Sequence, residues 1–202
     1  MKTTRFTLLF LLLIFSTSTP AKDYALTVYG GYRGGGAFTE TGTDNSLPLD
    51  STPAFSVALD MPYDSTRQYQ LFVSHQRTGV VLTDSSITDR AELGMNISYV
   101  HIGGTNFFTG PIGKGPYMVG GIGATWFDPA DDYDSELRAS MNLGFGYQLP
   151  LGETLALRFE ARGYATLVNS SGGFFCSGGC VISISGDTVM QAELMLGVTG
   201  RF

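Results

Sequence analysis

"AELMLGVTGRF", residues 192–202, alternates apolar and polar side chains up to its final position. Extended back to Met190, it puts Met190, Ala192, Leu194, Leu196, Val198, Gly200 and Phe202 on one face. Gln191, Glu193, Met195, Gly197, Thr199 and Arg201 fall on the other. Successive residues of a strand point to opposite sides. The segment is therefore a strand with one apolar and one mostly polar face, because a period of two excludes a helix.

The same separation recurs upstream. Leu155, Leu157, Phe159, Ala161, Gly163, Ala165 and Leu167 alternate with Ala156, Arg158, Glu160, Arg162, Tyr164 and Thr166. Leu137, Ala139, Met141, Leu143, Phe145, Tyr147 and Leu149 alternate with Glu136, Arg138, Ser140, Asn142, Gly144, Gly146 and Gln148. Residues 23–38, 54–62 and 68–78 show shorter versions, with Arg33, Asp60 and Gln70 on their polar faces. In residues 92–106, Leu93, Met95, Ile97 and Tyr99 form the apolar face, opposite Glu92, Gly94, Asn96 and Ser98. The pattern slips at Val100-His101, where a β-bulge is expected. Residues 116–127 are too glycine-rich for their faces to be assigned.

Eight strands result. Long polar connections (39–53, 79–91, 128–135, 169–188) alternate with short turns (63–67, 107–115, 149–153) carrying Pro, Gly and Asp. Both chain ends therefore lie beside the short turns.

Residues 1–21 read as a secretory signal peptide: a basic start with Lys2 and Arg5, an apolar run from Phe6 to Phe15, and small residues up to Ala21. The apolar run is too short for a spanning helix. Residues 22–202 then form one domain, within the size of a single core. Without Lys2 and Arg5, 10 basic residues face 18 acidic ones, a net charge of −8. That excludes a nucleic-acid binder, which needs a basic patch.

Alternating strands suit a soluble barrel, apolar inside, or a membrane barrel, apolar outside. Strand length and charge decide between them. About 9–11 tilted residues span the bilayer core, and several segments reach or exceed that. A soluble exterior would carry many lysines, yet residues 22–202 hold only Lys22 and Lys114. The fold expected is all-β: an eight-stranded, antiparallel, up-and-down transmembrane β-barrel. Such a barrel is filled by its own side chains. Unpaired charges there would be costly, so Arg138, Arg158, Glu160, Arg162 and Glu193 are expected to form an ion-pair network in the lumen.

"YVHIGGTNFF" and "GPYMVGGIGATWFDP", within Tyr99–Pro129, resemble the fourth-to-fifth-strand hairpin of the small OmpA-like outer-membrane barrels, a group with OmpW-type and OmpX/Ail-type relatives. "LRFEARGYATLVNSSGGFFCSGGC", Leu157–Cys180, is similar to their seventh strand and last loop. The resemblance implies location in a Gram-negative outer membrane after signal-peptide cleavage. It implies lipid and lipopolysaccharide as surroundings, a monomer, and Phe202 as the assembly signal read by the barrel-assembly machinery. It does not supply one activity, since fold does not fix function.

Cys176 and Cys180 are expected to form a disulfide, because export places them in an oxidising compartment. A metal site would need further ligands, and a redox pair has two intervening residues where this one has three. The surrounding "GGFFCSGGCVISI" is apolar for a loop. It reads equally as a contact patch or as an extension of the flanking strands. Ser74 and His75 are strand neighbours with opposite directions, so they make no catalytic dyad, and His101 falls on another strand, nearer the opposite rim. Asp128, Asp131, Asp132, Asp134 and Glu136 form an acidic stretch without calcium-loop spacing. No catalytic residue, cofactor or metal is expected. The reading is a non-enzymatic surface protein acting in envelope structure, adhesion or binding. An OmpW-like narrow conduit for small hydrophobic molecules is the alternative, and a lipid A-modifying enzyme ranks third.

Overall fold

The computed structural model describes residues 24–39, 46–82, 91–129, 134–168, 174–176, 180–182 and 188–202. Residues 1–21, read above as a signal peptide, lie outside them. The strands are β1 (Ala25–Gly34), β2 (Ala37–Thr39), β3 (Ser46–Pro48), β4 (Thr52–Pro62), β5 (Arg67–Leu82), β6 (Ala91–Phe107), β7 (Gly115–Pro129), β8 (Glu136–Pro150), β9 (Leu155–Leu167), β10 (Phe174–Cys176), β11 (Cys180–Ile182) and β12 (Thr188–Arg201). Eight of them close into an antiparallel barrel in the order β1, β4, β5, β6, β7, β8, β9, β12. The others form two small two-stranded sheets, β2 with β3 and β10 with β11.

Closure is staggered. Stepping across the register from Ala25 leads through Asp60, Gln70, Gly103, Gly121, Asn142, Tyr164 and Gln191. The neighbour of Gln191 on β12, Ala192, pairs with Gly34 at the end of β1, so the circuit closes about ten residues along from Ala25. A sheet can close this way only if its strands tilt, by roughly 35–45°.

The wall is apolar outside and polar inside. Phe55, Ile102, Ile122, Leu143, Phe145, Phe159, Leu194 and Val198 are exposed on it. Thr27, Arg33, Asp60, Gln70, Arg158, Glu160, Arg162 and Glu193 are buried. Leaving that much apolar surface outside is favourable only where the surrounding solvent is lipid.

Two expectations for β6 fail. Its register runs unbroken through Val100-His101, with Tyr99 opposite Thr125, Val100 opposite Ala124 and His101 opposite Gly123, so there is no bulge. Met95, Ile97 and Tyr99 are completely buried in the barrel, and Val100 and Ile102 are the outward ones. The apolar residues change face without a slip in pairing. Along β6, the part toward the long connections turns its apolar residues into an interior cluster and sets Asn96 and Ser98 outward, while from Val100 toward the short turns its outward residues Val100 and Ile102 are apolar. In β7, which the sequence left unassigned, Tyr117, Val119, Thr125 and Phe127 point inward.

The short turns meet Tyr24 and Phe202 at one rim. Phe202 N–H donates to Tyr24 O at 3.0 Å, and Arg201 N–H to Thr154 O at 2.8 Å. The Tyr24 and Phe202 rings stack with centroids 6.4 Å apart. At the β4–β5 turn, Asp64 Oδ1 accepts the N–H groups of Thr66 and Arg67, each at 2.8 Å. An aspartate folding back on its own backbone is standard turn chemistry. The Thr66 N–H first, and the Arg67 side chain next, hold the Asp64 carboxyl down at about 2.

Candidate functional site: the barrel interior

Inward positions on four strands supply the six charged groups. Arg33 comes from β1, Asp60 from β4, Arg158, Glu160 and Arg162 from β9, and Glu193 from β12. Arg33 Nη2 lies 2.7 Å from Glu193 Oε2, and Arg158 Nη1 2.7 Å from Asp60 Oδ2. Arg162 Nη2 lies 2.5 Å from Glu160 Oε1. All six side chains are fully shielded. Three guanidinium groups thus match three carboxylates, and the interior carries no net charge from them.

Tyrosines and amides join the pairs. Tyr29 Oη donates to Glu160 Oε2 at 3.2 Å and accepts from Arg158 Nη1 at 3.3 Å. Tyr117 Oη donates to the same Glu160 oxygen at 2.7 Å. Gln70 donates to Asp60 at 2.8 Å and accepts from Arg162 at 3.0 Å. Gln148 accepts from Arg158 Nε at 2.9 Å. Higher up, Tyr164 Oη donates to Glu193 at 2.7 Å, and Arg33 Cζ lies 4.8 and 4.7 Å from the centroids of the Tyr99 and Tyr164 rings, which stack on each other 4.4 Å apart. Arg33 also contacts Ser74 Oγ. Arg162 stacks 3.7 Å over the Phe72 ring.

Space for the tyrosines comes from glycines across the wall. A Cβ on Gly146 would strike the Tyr117 ring, and one on Gly197 would strike Tyr29. Small residues on β8 and β12 are thus slots for rings from β7 and β1.

Apolar clusters bound the charged layer at both ends. Toward the short turns, Phe107, Tyr117 and Val119 pack with Ile112, whose carbonyl accepts from Arg201 Nη2 at 2.8 Å. Toward the long connections, Leu49, Met95, Ile97, Phe127, Val168 and Val189 are buried together.

Of the sequence candidates, Arg158, Glu160, Arg162 and Glu193 meet in this interior. Arg138 lies toward the long-connection end, its Nη2 2.6 Å from Glu136 Oε2. Arg33, Asp60 and the four tyrosines are the members that sequence reasoning did not assign to the network. Arg33 and Asp60 stood on polar faces, but their partners depend on pairings across sequence separations of 160 and 98 residues. His101 is not near a rim: it pairs with Phe72 in mid-wall, and its Nε2 lies 2.9 Å from Ser140 Oγ. Ser74 is buried and His75 points outward, where its Nδ1 lies 2.9 Å from Ser98 Oγ. Cys176 and Cys180 are opposed in the β10–β11 pair, but their side chains, and with them the disulfide, lie outside the described residues. Asp131 and Asp132 lie outside them too.

No family model and no curated protein matches this chain. Solved structures do. Neisserial surface protein A superposes with a TM-score of 0.60 at 9% identity, covering 90% of this chain and 98% of that one. The outer membrane protein OprG from Pseudomonas aeruginosa gives 0.55 at 11% identity, covering 90% and 96%. The outer membrane protein AlkL, determined in lipid bilayers, gives 0.51 at 15%, covering 93% and 97%. At these identities the likeness is one of fold: a small, eight-stranded outer-membrane barrel.

Proposed function

Taking an outer-membrane type of barrel as the premise, we propose that this chain is a non-enzymatic outer-membrane protein whose wall anchors four outward connections for envelope structure or surface binding. The observation that carries the reading is the charge-balanced layer of Arg33, Arg158, Arg162, Asp60, Glu160 and Glu193, with an apolar cluster at each end. A lumen so filled leaves recognition to the connections between strands. Planar-bilayer recording tests this: the protein is expected to show no steady, solute-dependent conductance, and such a conductance would overturn it. Surface binding is then read by comparing cell adhesion of the full chain with a variant lacking 169–187.

The conduit reading has one supporting observation. A depression of about 770 Å³ on the outer wall reaches from Leu143, Phe145 and Leu194 to Gly34 and Gly35 beside Gln191. A hydrophobic solute entering there would still meet the Arg33–Glu193 layer, so the scaffold reading is preferred. The same reading makes the protein a monomer in lipid and lipopolysaccharide, delivered by export and the barrel-assembly machinery. The opposed positions of Cys176 and Cys180 favour a closed disulfide at the last connection; thiol alkylation with and without reductant reads its state.

A further inference from the structure

The outer wall is apolar from rim to rim on β8, β9 and β12, and it is interrupted on β5 and β6. One row of the register runs Phe55, His75, Ser98, Trp126, Leu137. The next row toward the long connections includes Arg77, Asn96 and Asp128. Phe55, Trp126 and Leu137 are 68%, 54% and 71% exposed, so the polar residues form a notch cut into a surface that is otherwise apolar at the same row.

The depth of the notch follows from the geometry. β5 leaves the short-turn rim at Arg67. Eight residues at about 3.3 Å each, tilted by about 40°, raise His75 roughly 20 Å above that rim. The apolar band of such barrels is about 25 Å tall. His75 and Ser98 therefore sit inside the outer leaflet, and Arg77 and Asn96 near its surface.

Polar groups facing hydrocarbon need partners. His75 Nδ1 has Ser98 Oγ at 2.9 Å, while its Nε2 has no partner among the described residues. Asn96 Nδ2 donates weakly to Asp128 Oδ2 at 3.5 Å. Arg77 makes no ion pair among the described residues. A fixed cation, a ring nitrogen, a hydroxyl and an amide thus occupy adjacent outward positions of β5 and β6, with the Asp128 carboxylate beyond Asn96 and with Phe55 and Trp126 one strand to either side of His75 and Ser98. Guanidinium recognises phosphate through two parallel donors.

We propose that this notch binds the phosphorylated sugar headgroup of an outer-leaflet glycolipid. The phosphate lies against Arg77 and His75, the sugar hydroxyls against Ser98 and Asn96, and the acyl chains run down the wall past Val73, Val100 and Phe55. The headgroup supplies the charge and hydrogen bonds that hydrocarbon cannot.

The test is native mass spectrometry of the refolded full chain in detergent with defined lipids. Heat-dependent gel mobility and circular dichroism establish that each variant is folded. Bisphosphorylated lipid A is expected to be retained at least about tenfold better than fully dephosphorylated lipid A, the effect of losing one charge-assisted contact. It is also expected to outbind phosphatidylglycerol. The double variant His75→Ala with Arg77→Ala should abolish the preference, and Arg67→Ala at the opposite rim should keep it. Equal retention of phosphorylated and dephosphorylated lipid A by the native chain overturns the proposal, and so does an unchanged preference in the folded double variant. Equal retention of phosphatidylglycerol overturns the glycolipid as occupant. Should the double variant fail to fold, the lipid comparison on the native chain decides alone.

Discussion

Ile122 and Thr125 lie three residues apart on β7 and face different solvents: Ile122 is 73% exposed on the outer wall and Thr125 is fully buried. Each residue's cost of substitution therefore depends on its side as much as on its chemistry. Ile122→Arg places a charge against hydrocarbon and is expected to lower stability in lipid vesicles by about 2–4 kcal/mol. Ile122→Leu, volume-conserving, should cost less than about 1.5 kcal/mol. Urea unfolding followed by tryptophan fluorescence, for which Trp126 is the sole reporter, measures both. An equal, small effect for the two substitutions would contradict the lipid-facing assignment.

At the scale of the strand, β12 presents Leu194, Leu196 and Val198 outward, and Phe202, just beyond its end, is exposed and stacks on Tyr24 at the rim. If the terminal aromatic is what the assembly machinery reads, deleting Phe202 should reduce the outer-membrane fraction severalfold while leaving the precursor level unchanged. Fractionation with immunoblotting gives both quantities, and an unchanged membrane fraction would count against that role. The strands differ in how much of this was legible. β8, β9 and β12 were readable because lipid contact makes one face apolar along the whole element. β6 misled because its upper part encloses an apolar cluster, so Met95, Ile97 and Tyr99 carry the residue types of a lipid face while pointing inward. β7 gave no signal because its glycines lack side chains to alternate. In the interior, the charges of β9 and β12 could be read from their own strands. The Arg158–Asp60 contact, by contrast, is fixed by closure of the whole sheet and by no local pattern.

At the scale of the whole molecule, the Arg33–Glu193 pair joins the first and last barrel strands, and the two residues are direct partners in the β1–β12 register. Truncating one member leaves a buried, uncompensated charge, expected to cost about 3–5 kcal/mol. Glu193→Leu should therefore destabilise the barrel strongly, and adding Arg33→Met should recover much of the loss. Equilibrium unfolding of the single and double variants in vesicles tests this; additive losses would refute it. The position of the pair also bears on how the chain completes itself. A slip of two residues between the terminal strands keeps every side chain on its proper side, so the inside–outside pattern alone cannot reject it. Such a slip sets Arg33 opposite Gln191 or Met195 and strands both ions. The two charges thus proofread the seam: the cylinder zips shut at low energy in one register, and neighbouring registers are rejected by unmatched charge.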